Sequence, residues 1–274
     1  MGRRSKFIVA AIVIGALSLG LTACSSKDGG SSSATTTSSP ASSSAKWKGA
    51  ARSTTPMSAT DKAAIDTIAN EALKQLPGLP GLWVGVWDPK KGVYVTAYGS
   101  AVDPDQKATT EDHSRIGSVT KTFTATAVLQ QVEAGKLSLD DTIGDVLPDL
   151  AAEHPAVGKI TVQQLLGMTS GIPDYANTGL VLNKVVQDPT KVWTPEEIID
   201  LTLTESKLSA PGTPGYSTTN YLILGQMVEK VSGISIEQAI GKVAKAAGLK
   251  NSALTEPSDN ALPAPSSHGY LNEP

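Results

Sequence analysis

Apolar residues are spread unevenly along this chain. Phe7 to Leu21 form a nearly unbroken apolar run behind Arg3, Arg4 and Lys6, and residues 25–56 are mostly Ser, Thr, Ala, Gly and Pro. From Met57 onward apolar positions recur with regular periods. Ile65, Ile68, Ala72, Leu73 and Leu76 return at helical spacing. They predict a helix capped by Ser58 or Thr60 and ended by Pro77-Gly78, with these five side chains on one face. Leu82–Trp87 and Val93–Tyr98 read as strands around the turn Asp88-Pro89-Lys90-Lys91-Gly92, a hairpin, with Trp83 and Trp87 assigned to sheet packing. Helical periods then fill the rest: a helix opened by Ser118 and stopped near Gly135, then 161–166, 194–203, 218–231 and 235–247, separated by Gly/Pro loops. A hairpin followed by a long helical block predicts an α+β arrangement.

The first segment changes the picture of where the chain works. A basic start, a 15-residue apolar run and the ending Leu21-Thr22-Ala23-Cys24 read as a secretory signal over residues 1–23. The ending looks like a bacterial lipobox, whose cysteine is lipidated. Cys24 is the single cysteine, so a disulfide within the chain is impossible. The run is short for a membrane span. Residues 24–56 cannot bury enough apolar surface to offset chain entropy, and read as a flexible tether. The expectation is an exported chain, anchored to the cell membrane through Cys24, with its domain over 57–274 in the cell envelope.

Charge narrows the partners. The chain carries 23 Lys+Arg against 26 Asp+Glu, and removing Arg3, Arg4 and Lys6 leaves 20 against 26, a net −6. A mildly acidic surface without a basic block argues against nucleic acid. His113, His154 and His268 are scattered without paired ligand spacing, which argues against a zinc site. The chain has no Gly-x-Ser-x-Gly elbow and no phosphate-binding glycine loop, and no cofactor is expected. Asp140 and Asp141 read as surface caps rather than a carboxylate dyad, and His268 as a surface-loop residue.

Candidate chemistry gathers at Arg115–Ala125. Ser118 stands at the mouth of a predicted helix and Lys121 three residues later, on the same helical face. Gly117 permits a tight turn there, and the free N–H groups of the first turn favour an alkoxide. A hydroxyl with an amine one turn away has the parts of an activated nucleophile. Spacing alone is weak evidence, since Ser43–Lys46 repeats Ser-x-x-Lys inside the polar tract.

The wider setting gives that serine its context. Gly117-Ser118-Val119-Thr120-Lys121-Thr122, Gly135–Asp141 running on to Leu147-Pro148, Ile160–Leu166 continuing to Ser170-Gly171-Ile172-Pro173-Asp174-Tyr175, and Pro211–Tyr221 occur in that order. Together they resemble the serine β-lactamase and D-alanyl-D-alanine carboxypeptidase family, on its class C side, over most of residues 60–270. Class A enzymes and penicillin-binding proteins carry the related Ser-x-x-Lys, Ser-Asp-Asn and Lys-Thr-Gly set. The resemblance implies a β-lactamase/transpeptidase-like fold, an antiparallel sheet with a mostly helical domain. It also implies acyl transfer on D-Ala-D-Ala peptides or β-lactams, with Ser118 as nucleophile and a neutral Lys121 as base. Tyr216 matches the proton-relaying tyrosine of the family's Tyr-x-Asn. The substrate partner so implied is a peptidoglycan stem peptide or a β-lactam-like small molecule.

Two departures stand out. The asparagine of Tyr-x-Asn is Thr218 here, so the substrate-binding position offers one hydroxyl in place of an amide's donor and acceptor. Asn220 lies two residues further on, too far along to be a simple substitute, with its side chain expected nearby. No Lys, His or Arg followed by Ser/Thr-Gly occurs after Tyr216, and the sequence stops at Pro274 in what reads as mid-loop. By resemblance, the segment beyond would supply the remaining sheet strands, a closing helix and half the oxyanion hole. The expectation is therefore a C-terminally truncated chain, poorly active or unstable as it stands. Two alternatives stay open: an esterase on the same scaffold, and a non-catalytic envelope lipoprotein that binds peptidoglycan or a partner.

Overall fold

A computed structural model describes residues 53–188, 190–259 and 261–269. The signal, lipobox and tether readings on residues 1–52, Cys24 among them, lie outside the described residues. The chain forms two compact units, one ending at His113 and rejoined by the chain from Ala264, the other running from Ser114 to Pro263.

In the first unit, α1 (Ala59–Gln75) starts at Ser58, whose hydroxyl accepts from Asp61 N at 3.1 Å. Strands β1 (Gly81–Asp88) and β2 (Gly92–Val102) pair antiparallel from Gly81 opposite Gly99 to Asp88 opposite Gly92. Asp88 Oδ1 accepts from Lys90 N and Lys91 N, the side-chain turn that closes the hairpin. Both strands run longer than their sequence signals, and a two-residue β3 (Gln106–Lys107), which the pattern does not announce, extends the sheet in the order β1-β2-β3. Pro265 O accepts from His113 N, Ser267 N donates to His113 O, and His268 N donates to Ala101 O.

Helix α1 corrects the predicted apolar face. Ala69 is its buried residue, whereas Ile68 is 71% exposed and Leu76 also faces outward. Polar contacts set the rotation. Asp66 Oδ1 accepts from the phenols of Tyr94 at 2.7 Å and Tyr98 at 2.6 Å, and Asp61 pairs with Lys91 at 2.9 Å. Positions three and four apart from Asp66 then face β2, and Ile68 falls on the far side. Trp83 donates its indole N–H to Thr109 O, while Trp87 is 57% exposed, so sheet packing describes Trp83 better than Trp87.

The second unit is helical. It comprises α2 (Thr120–Glu133), α3 (Ile143–Val146), α4 (Pro148–Glu153), α5 (Val162–Leu166), α6 (Leu180–Gln187), α7 (Pro195–Glu205), α8 (Thr219–Ser232) and α9 (Ile236–Ala246). The helices predicted over 161–166, 194–203, 218–231 and 235–247 correspond to α5, α7, α8 and α9, while α3, α4 and α6 were not anticipated. Thr142, Thr161 and Thr194 begin α3, α5 and α7 with capping boxes completed by Asp145, Gln164 and Glu197. Ala127 and Val128 of α2 meet Ile223, Leu224, Met227 and Val228 of α8 in the core, all at most 1% exposed. This apolar seam fixes the two helices whose N-terminal ends carry the candidate chemistry. Asp141 accepts from Ser138 N at a loop, as the sequence suggested.

Candidate active site

Ser118 lies in a 3-10 turn, Gly117–Val119, that runs directly into α2. It therefore stands one turn ahead of α2 rather than opening it. Gly117 has φ of 53°, with open space where a Cβ would lie, so glycine is needed there for backbone conformation and not for room. Lys121, the second residue of α2, points its ammonium back at that turn. Its Nζ donates to Ser118 Oγ at 3.2 Å and to Thr218 Oγ1 at 3.4 Å. Tyr216 donates its phenolic O–H to Ser118 Oγ at 2.7 Å. The fold thus brings Ser118, Lys121, Tyr216 and Thr218 into one hydrogen-bonded cluster across almost a hundred residues of chain.

The electrostatics follow from this geometry. Burial pushes the Tyr216 phenol upward, but hydrogen bonding with Lys121 and Ser118 and the charge of Lys121 outweigh it. The phenol is left below its ordinary value and ionises more readily. Lys121 Nζ lies 4.8 Å from the Tyr216 ring centroid and 5.8 Å from that of Tyr221. Tyr175 and Tyr221 are held above the ordinary phenol range, each by burial first. Among the three phenols Tyr216 is the one prepared to give up its proton. Tyr221, unassigned from the sequence, lies in the first turn of α8, five residues after Tyr216 in the same segment.

Asn220 does not stand in for the missing asparagine. It is fully buried, accepts from Ser170 Oγ at 2.7 Å and donates to Leu165 O at 3.1 Å. Its amide is spent in the core. His154 pairs with Asp200 and His113 with Pro265 O, well apart in sequence, and among the described residues no His, Cys, Asp or Glu group is arranged to hold a metal.

A cavity of about 720 Å³ opens beside the cluster, lined by Ser118, Lys121, Tyr175, Thr218, Tyr221 and Leu222 among others. Another, of about 850 Å³, lies along Asp149, Glu153 and Asp200 and has no hydroxyl, thiol or imidazole in its wall. Chemistry therefore selects the smaller one. An exposed hydroxyl flanked by an amine and a phenol, opening on a cavity, can attack a carbonyl and pass its proton on.

Comparison with known proteins brings out penicillin-binding proteins and D-amino-acid-directed hydrolases. Penicillin-binding protein 4 of Amycolatopsis lactamdurans is 35% identical over 136 residues, covering 48% of this chain and 33% of that protein. This chain thus spans about a third of the length of that relative. The octameric penicillin-binding protein homologue of Pyrococcus abyssi superposes with a TM-score of 0.60 at 30% identity, over 70% of this chain and 44% of its own. A D-stereospecific amidohydrolase from Streptomyces sp. gives 0.62 at 28% identity, over 73% and 59%. The α+β fold is that of the β-lactamase/transpeptidase group. The family model described as Beta-lactamase matches residues 69–272, more than half of the sequence, and on that match the chain belongs to the beta-lactamase family.

Proposed function

We propose that this chain carries the reactive centre of a serine acyl hydrolase acting on D-Ala-D-Ala peptides or β-lactams. The observation that carries the reading is the 2.7 Å contact of Tyr216 and the 3.2 Å contact of Lys121 on one exposed serine oxygen. Hydroxyl protons rotate, so the Ser118–Tyr216 bond reverses direction once the phenol is ionised. Ser118 Oγ then forms a bond to the substrate carbonyl carbon while its proton passes to Tyr216, with Lys121 stabilising the phenolate. Collapse of the tetrahedral adduct breaks the C–N bond, and the departing nitrogen takes the proton from Tyr216. Water attacks the resulting ester by the same route, freeing the acid and restoring Ser118. A positioned base of this kind contributes about 10²–10⁴-fold. The names of the relatives, penicillin-binding proteins and a D-stereospecific amidohydrolase, support the substrate class.

Thr218 favours a second reading, a binding protein or an esterase, because a lone hydroxyl partly engaged by Lys121 gives a substrate amide fewer partners. One experiment separates them: intact-mass spectrometry of the chain after incubation with a penicillin, beside Ser118→Ala. A penicilloyl adduct lost in the variant supports the acyl hydrolase. A wild-type chain that stays unmodified, yet cleaves an activated ester, points to the esterase; one that does neither but retains the ligand points to a binder.

Export and lipid anchoring through Cys24 complete the proposal and rest on the pattern of residues 1–24. Metabolic labelling with a fatty-acid probe, abolished by Cys24→Ala, is the result expected. Unlabelled wild-type protein released from cells would overturn it.

A further inference from the structure

We propose that Asp174 is a positioning residue for the reactive cluster, its buried carboxylate holding the main chain at Thr218 and so setting where Tyr216 and Thr218 meet Ser118 and Lys121. The inference rests on the reading of Ser118 as the nucleophile.

A carboxylate taken out of water needs compensating donors. Asp174 is 8% exposed. Its Oδ1 accepts from Thr218 N at 3.0 Å and from Ala176 N at 3.3 Å, and its Oδ2 from Asn177 Nδ2 at 2.7 Å. The neighbouring residues bind the same stretch. Pro173 O accepts from Ser217 Oγ at 3.0 Å and Thr219 Oγ1 at 2.7 Å, and Tyr175 N donates to Thr219 Oγ1 at 3.2 Å. Upstream, Gly215 N donates to the carbonyl of Met168, a residue at φ of 56°, the one described non-glycine residue with positive φ. Residues 215, 217, 218 and 219 are thus tied to the loop 168–175, while Tyr216 between them turns out, 52% exposed, to Ser118.

The tie at Thr218 differs from the others in its consequence. Thr218 is the N-cap residue of α8, a place where threonine ordinarily turns its hydroxyl back onto the first helical N–H groups. Here it is in the right-handed helical region, with φ −70° and ψ −28°, and its side chain makes no cap bond. Its hydroxyl faces Lys121 instead. Asp174 satisfies the Thr218 amide from outside the helix and sets a negative charge at the positive end of α8. Without it, Thr218 gains by capping α8 itself, drawing its hydroxyl from Lys121 and shifting the adjoining Tyr216.

The test compares Asp174→Ala, Asp174→Asn and Asp174→Glu in the full chain, by penicillin acylation rate and by ultraviolet titration of Tyr216. Each titration is read against the matching Tyr216→Phe protein. Asparagine keeps an acceptor for Thr218 and Ala176, and the Asn177 amide can turn to present its oxygen. Asp174→Ala is expected to acylate about 10²-fold more slowly, the scale of a reactive group displaced by roughly an ångström. Its Tyr216 midpoint should rise toward the ordinary phenol value of 10.0. Asp174→Asn should stay near wild type in both. If the alanine variant does not melt cooperatively, the glutamate variant decides. It keeps the charge but is one methylene too long to hold the same amide, so a folded Asp174→Glu should behave as predicted for alanine. A folded alanine or glutamate variant with an unmoved Tyr216 midpoint overturns the inference. A wild-type chain that forms no adduct, while Tyr216 still responds to Asp174, overturns the nucleophile reading and leaves the positioning inference standing.

Discussion

The hydroxyl of Tyr216 lies 2.7 Å from Ser118 Oγ although 98 residues separate them in sequence. Tyr216→Phe removes that oxygen and little else. Because the side chain is half exposed, its loss should change stability by under about 0.5 kcal/mol. Acylation should fall by about 10²-fold or more if the phenol moves the serine proton. Adduct formation followed by mass over time, with melting curves for both proteins, checks the pair of outcomes.

Acylation should also depend on pH in a direction set by Lys121. Lys121 and Ser118 hold the Tyr216 phenol below its usual value, so the phenolate fraction, and with it the rate, rises as pH climbs through that lowered midpoint. Lys121→Met removes a donor and a positive charge while keeping much of the side-chain length. The midpoint of the rising limb should then move to higher pH and the plateau should fall. A limb that stays in place in the methionine variant would take the proton from some other group.

Thr218→Asn restores both a donor and an acceptor at the position where the family carries an amide. Acylation by an amide-bearing penicillin should quicken by up to about tenfold, the range of one added hydrogen bond. Hydrolysis of a simple activated ester, which has no such amide to hold, should change much less. The ratio of the two rates is the quantity to measure.

What was legible before folding follows from how local each signal is. The Ser118–Lys121 pair was visible because both residues lie within one turn, and Tyr216 because its segment carries a recognisable motif. The hairpin was visible because Asp88 and Gly92 write their own turn. Asp174 stands within a motif, but its task is not local, since its partner Thr218 is 44 residues away. Asn220 shows the same blindness, for nothing in its neighbourhood says that it turns inward to Ser170 and Leu165. Apolar spacing alone does not give the face of α1, because the two tyrosines on β2 that hold Asp66 set its rotation.

Tyr98 carries an expectation about alkaline stability. Burial first, and the Asp66 carboxylate beside it, raise its phenol far above the ordinary value of 10.0. The unfolded chain loses this proton near pH 10, while the folded chain keeps it. Above that pH the unfolded state therefore binds fewer protons and stability falls with rising pH; below it the contribution is fully present. Tyr98→Phe should melt at a lower temperature at neutral pH, having lost a hydrogen bond to Asp66, yet show a shallower decline between pH 9 and 11, roughly the span around that titration. Parallel slopes in the two proteins would remove Tyr98 from the account.

The buried amide of Asn220 offers the last separation, between support and chemistry. Asn220→Leu keeps the approximate volume but takes the acceptor from the Ser170 hydroxyl proton and leaves Leu165 O only the 3.3 Å bond from Met168 N. A buried donor left unmet costs about 1–3 kcal/mol, so denaturant unfolding should show a loss of that order. Asn220 lies on α8 within two residues of Thr218 but bonds away from Lys121. The folded fraction should therefore keep the pH midpoint of acylation seen in the unaltered chain. A shifted midpoint at unchanged stability would instead make Asn220 part of the proton-handling cluster, which its two core hydrogen bonds argue against.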